Sequence, residues 1–126
     1  MIFFSAVVSP SVFASLNSNS SSKFLRTIFP RMFLFGFIIS VAALVLTLLS
    51  NNFHNSIILV IVGLFFIINR NYLTPIINNF RDLELTGDLK AAKKFKIMHL
   101  LSVLLFVINF FFLILVIIFN YINYNL

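Results

Sequence analysis

Every lysine and arginine in this chain falls in one of two stretches, Lys23–Arg31 and Arg70–Lys96, which alternate with uncharged hydrophobic runs. That partition constrains the fold more than any other feature. A soluble domain of 126 residues spreads charge over its surface, yet here 10% of residues are charged and 61% are hydrophobic. Mean hydropathy is +1.10. The chain therefore reads as a polytopic membrane protein, all-α, with room for one four-helix bundle. Strands are excluded, because the runs lack alternation and an open sheet edge leaves backbone groups unpaired in lipid.

Four apolar segments are predicted as helices, at about residues 1–16, 32–49, 56–73 and 97–119, in a single domain spanning 1–126. The last is about 23 residues, roughly 35 Å of helix, enough to cross a ~30 Å core with tilt. The third requires Arg70 to reach the interface with its guanidinium. The first is short for a span and contains Pro10, which is expected to kink it. Val12-Phe13-Ala14 before Ser15 has the small-residue form of a signal cleavage site, but nothing basic precedes Lys23, so a retained helix is the favoured reading.

Asn17 to Ser22 reads as a polar linker, and Asn51–Asn55 as a tight helical hairpin turn without Lys or Arg. Ile76, Ile77, Phe80 and Leu83 share one helical face, which predicts an amphipathic helix over about 76–85 lying in the interface. Gly87 suits the end of that helix and Asp88 the N-cap of the last one. Both basic connections fall on one side in an alternating topology, so the positive-inside rule makes that side cytoplasmic. Lys90, Lys93, Lys94 and Lys96 border the last apolar run and point to an anionic headgroup layer. Nucleic acid is not indicated, for want of basic residues interleaved with aromatics on a polar surface.

The residues able to carry chemistry are few. On the last helix Ser102, Asn109 and Asn120 point within roughly 20° of each other, with His99 some 60–80° away. Polar groups in a membrane face protein, so this set, His99, Ser102 and Asn109, is the candidate intramembrane polar site. His99 is a candidate haem or metal ligand, or else a hydrogen-bonded interfacial residue. His54 lies in the external turn, too far away to share a metal with it. On the second helix Gly36, Ser40, Ala43 and Thr47 make a small-residue stripe for close helix approach, and Gly63 on the third does the same. The three carboxylates, Asp82, Glu84 and Asp88, all lie in one connection, which counts against a proton-coupled carrier. There is no cysteine, nucleophile–base pair, phosphate loop or zinc spacing.

The motifs, taken in order, resemble a known family. Val7-Val8-Ser9-Pro10-Ser11-Val12-Phe13 resembles the V-x-x-P-x-x-F stretch of the first helix in the bacterial domain of unknown function 4149 family. Phe29-Pro30-Arg31-Met32-Phe33 is similar to its F-P-R-x-F entry to the second helix. Pro75 with Asn78, Arg81 and Asp82 is similar to its P-x-x-N-x-x-R-D segment, and Phe95, His99 and Ser102 to its F-x-x-x-H-x-x-S motif. An Asn commonly follows that His by seven residues in the family; here Phe106 stands there, with Asn109 one turn later. The resemblance implies a four-helix membrane protein related to transmembrane-protein-205-like proteins, and no established activity. In that family the first helix starts further upstream, so the start here is expected to have lost part of it.

Three functional readings follow. The first is a small non-enzymatic protein of the bacterial inner membrane, acting through helix or lipid contacts, alone or as a homo-oligomer or partner subunit, with no cofactor. The second is a membrane redox protein holding haem or copper through His99. The third is a transporter or channel that builds its pore by oligomerising.

Overall fold

The computed structural model describes residues 3–125, without the side chains of residues 5 and 123–125. A π-helical turn, Phe4–Val8, leads into α1 (Ser9–Ser15); α2 (Ser18–Leu49) and α3 (Phe53–Ile68) follow. A second π turn, Asn69–Leu73, joins α3 to α4 (Thr74–Leu85), and α5 (Leu89–Asn125) completes the chain. No strand is present among the described residues.

Both π turns stand just before a hydroxyl residue and a proline, Ser9-Pro10 and Thr74-Pro75. Proline has no N–H to give and its ring crowds the preceding turn. Widening that turn by one residue accommodates both problems. At the second site the Thr74 N–H bonds back to the Asn69 carbonyl, and the Thr74 hydroxyl donates to the same oxygen at 2.7 Å. The helix therefore runs without interruption from Phe53 to Leu85. The helix expected over about 76–85 falls within α4, which runs on from α3 through the π turn and packs on α5.

The turns follow from their capping residues. After α2, Asn51 takes the left-handed conformation (φ 53°), so the Asn52 N–H reaches the Thr47 carbonyl and the Asn51 N–H reaches that of Leu48. After α4, Gly87 (φ 95°) does the same, with Asp88 and Gly87 donating to the carbonyls of Leu83 and Glu84. Asp88 then caps α5, accepting the backbone N–H groups of Lys90 and Ala91 at 2.8 and 3.1 Å.

The serine tract after Asn17 is helical. The Asn17 side chain caps α2 by accepting the Ser20 N–H at 2.9 Å, and the buried Ser21 hydroxyl bonds back to the carbonyls of Leu16 and Val12. A tract whose polar groups are satisfied in this way costs little in a helix. The α1–α2 hairpin sets Phe4 against Phe29, with ring centroids 5.3 Å apart. The first segment thus packs on the early part of α2 rather than on Met32–Leu49. Met1 and Ile2, where that segment was expected to begin, lie outside the described residues.

α3 is the middle of the molecule, packed on α2 along one side and α5 along another, while the α2 and α5 backbones stay apart. Phe33 of α2 with Val62 and Phe66 of α3 form the core, flanked by Phe37, Phe106 and Leu113 among others. Large side chains such as Phe35, Leu46, Leu64, Leu100 and Ile117 are more than half exposed. Leaving each in water would forgo about 1.5–3 kcal/mol of burial energy. Three helices, Ser18–Leu49, Phe53–Leu85 and Leu89–Ile122, are long and apolar enough to cross a membrane. The apolar helix Ala6–Ser15 is shorter. α5, at 37 residues, is about 55 Å long. That exceeds a ~30 Å hydrocarbon core.

Candidate functional site

Antiparallel packing of α3 on α5 buries a line of neutral polar side chains. α3 and the first residue of the π turn that continues it place Asn55, Val62 and Asn69 at seven-residue steps, and α5 places Ser102 and Asn109 at the same step. Seven residues are nearly two whole turns, so each set keeps one face. The Ser102 hydroxyl donates to Asn69 Oδ1 at 2.6 Å. One step along, Asn109 Nδ2 donates to the Val62 carbonyl at 3.4 Å, a long bond. Asn55, Asn69 and Asn109 are fully buried, with exposures of 0%. Asn55 Nδ2 and Oδ1, Asn69 Nδ2 and Asn109 Oδ1 have no hydrogen-bond partner among the described residues.

This seam carries no charge and nothing that titrates. Amides donate and accept but do not exchange protons near neutral pH. The arrangement suits binding of neutral hydrogen-bonding groups and offers neither a general base nor a nucleophile.

The α2–α3 contact is built from small residues. A Cβ at Gly36 would stand 2.7 Å from the Phe66 ring, and one at Gly63 would stand 3.2 Å from Ser40 Oγ. Ser40 is buried and donates to the Phe37 carbonyl at 2.7 Å. Ala43 is half-buried. Thr47 accepts from the buried Ser56 hydroxyl at 3.0 Å. The whole stripe Gly36, Ser40, Ala43, Thr47 therefore lies on or beside the α3-facing side of α2.

Charge gathers at the opposite end from the α2–α3 turn. Arg26 of α2 forms a two-pronged pair with Asp82 of α4, at 2.5 and 3.1 Å. The Arg81 guanidinium lies 5.4 Å from the Phe95 ring centroid, and Lys94 Nζ lies 5.5 Å from that of Phe80. These contacts hold the start of α2, α4 and the start of α5 as one charged pole. Lys90, Lys93, Lys94 and Lys96 are all exposed on it. Its net charge is that of the chain, +6, because every charged residue lies between Lys23 and Lys96.

The structure separates the three residues that helical spacing grouped on α5. Ser102 and Asn109 are buried against α3, whereas His99 is exposed and stacks on Phe95, with centroids 5.8 Å apart and planes 11° apart. His54 is also exposed. Among the described residues no three His, Cys, Asp or Glu side chains come together as a metal site. Asn55 and Asn69 were not singled out from the sequence; their seven-residue spacing, matched by Ser102 and Asn109, was the available signal.

Of the remaining motif residues, Phe29 marks a packing point and the prolines mark helix positions. Phe29 lies between Phe4 and Phe33, Pro30 is inside α2, Pro75 starts α4, and Pro10 and Phe13 are exposed. Neither the curated proteins nor the solved structures hold a match to this chain. A family profile does match, over residues 1–85, from the N-terminal helix to the last residue of α4. α5, with Phe95, His99 and Ser102, lies beyond that match. With two thirds of its length matched, the chain belongs to the family of the domain of unknown function DUF4149.

Proposed function

We propose that this chain is a non-enzymatic integral membrane protein that holds anionic lipid at a basic cytoplasmic pole. The observation that carries the reading is the gathering of all charged residues at one end of a molecule whose long helices expose apolar side chains elsewhere. The positive-inside rule sets that pole in the cytoplasm. The host membrane under this reading is the bacterial inner membrane, and the protein is a distant relative of transmembrane-protein-205-like proteins. Lys90, Lys93, Lys94 and Lys96 are each worth about 1 kcal/mol of attraction beside an anionic leaflet. A second copy or another membrane protein is the further partner, against the outer apolar faces of α2 and α5. The redox alternative has less support, since His99 faces outward and meets an aromatic ring rather than a second ligand.

Native mass spectrometry of protein purified with equal phosphatidylglycerol and phosphatidylcholine tests the reading. Phosphatidylglycerol adducts are expected to dominate, and the preference is expected to fall when the four lysines become Gln. Equal retention of the two lipids by the unaltered protein would overturn it.

A further inference from the structure

Four buried side-chain polar atoms have no partner in the packing of the described residues: one each on Asn69 and Asn109, which meet the facing helix across the α3–α5 seam, and two on Asn55, which seven-residue spacing sets in line with Val62 and Asn69. Two are amide nitrogens, Asn55 Nδ2 and Asn69 Nδ2, and two are amide oxygens, Asn55 Oδ1 and Asn109 Oδ1. Buried polar groups are nearly always hydrogen-bonded, because an unpaired one forfeits its bonds to water without replacement. Four such atoms in line along one helical face, all on residues with no exposed surface, point to a ligand that belongs there.

The chemistry of the atoms selects that ligand. Donors and acceptors are equal in number, so it must offer both. No carboxylate, ammonium, guanidinium or imidazole side chain is among the buried residues, so the site has no charge to balance an ion. The stations are small and separate. Asn55, the Asn109–Val62 contact and Asn69 follow one another at about 10 Å, two turns of helix. Leu59 and Phe66, which fall between them along α3, are buried apolar side chains, so the stations are separate small polar spots rather than one continuous polar cleft. We propose that the seam is an internal water site, with water bound at Asn55, Asn109 and Asn69 along the depth of the bundle. Bound waters of this kind make two to four bonds each. They let α3 and α5 meet through amides without direct pairing at every step.

The test is proton NMR of the full chain in lipid nanodiscs with 15N at asparagine alone. Side-chain amide signals of Asn55, Asn69 and Asn109 are assigned by their loss in N55L, N69L and N109L. Each is expected to show a cross-peak to water whose nuclear and rotating-frame Overhauser signs mark a residence time above about a nanosecond. Exposed asparagines such as Asn19 and Asn79 show only the fast-exchange form. Seam amide signals with no long-lived water cross-peak would overturn the proposal. A second readout needs no assignment. Asn55 has no direct side-chain partner at either amide atom among the described residues, so if water completes its bonds N55L lowers the thermal midpoint of the bundle; if the amide is unpaired, removing it raises the midpoint, and that result also counts against the proposal.

Discussion

At Gly36 an added Cβ would stand 2.7 Å from two atoms of the Phe66 ring, and Phe66 is buried in the core with little room to turn. G36A is therefore expected to destabilise the protein by about 1–3 kcal/mol, the usual cost of overpacking. G63A comes tight only to the Ser40 hydroxyl, at 3.2 Å, with the Phe37 ring at an ordinary contact distance of 3.6 Å, and a hydroxyl can swing aside. Its cost is expected to be the smaller, and detergent unfolding of the two variants side by side checks the order. Equal costs would mean that the close approach at Phe66 is not what binds α2 to α3. The Asn69–Ser102 hydrogen bond is expected to show as coupling of about 0.6 kcal/mol, and no more than ~1.7, in a cycle of N69A, S102A and the double variant. The small-residue stripe was legible because glycine and serine at four-residue steps leave few other roles in lipid. The Asn55 and Asn69 positions were harder. Asn55 is the last residue of the stretch that reads as a polar turn, and Asn69 adjoins Arg70 at the end of an apolar run. In the structure α3 starts at Phe53 and takes in Asn55, while Ser102 of α5 meets Asn69. His99 shows the converse: 60–80° of helix separates it from Ser102. That margin is too narrow for periodicity to decide which side of the burial boundary it falls on.

Helix ends in this molecule depend on single residues. Gly87 at φ 95° has no atom near its missing Cβ, so G87A carries only the left-handed backbone cost, roughly 1–2 kcal/mol. D88A removes the cap from the first turn of α5 and is expected to cost about 1 kcal/mol. Both losses should appear in hydrogen exchange as faster opening at Leu85–Ala92, with the α2–α3 turn unaffected. Opening that spreads along the whole of α3 would show instead that the α4–α5 hairpin is not a local unit. Gly87 and Asp88 were readable in advance because few residues do what each does. The run from α3 through α4 was not. Proline at 75 marks a boundary in any reading of α-helical periodicity, whereas a π turn with Thr74 bonding back carries the helix past it. The serine tract at 18–22 misleads in the same direction, since composition reads as linker while the Asn17 cap and the Ser21 hydroxyl bonds favour helix.

Across the whole molecule, the partition of charge in the sequence becomes a partition in space. Residues 23–31, 70–85 and 88–96 are far apart in the chain, yet Arg26 reaches Asp82 and Lys94 lies over Phe80. The other end, at the α2–α3 turn, carries no charged residue. The fold class followed from composition and charge spacing, because lipid permits few architectures. The packing order, with α3 central, did not, because it depends on which faces meet. The two poles make opposite demands of a bilayer, and the chain contains no cysteine, so single cysteines report sidedness without a background. Ser50 lies at the uncharged turn and Leu89 at the charged pole, and both are exposed. Intact bacterial cells expressing S50C or L89C are treated with a membrane-impermeant maleimide. S50C is expected to label at once, and L89C only after the membrane is permeabilised. Labelling of both from outside, or of L89C alone, would contradict a bundle that crosses the membrane with its basic pole in the cytoplasm.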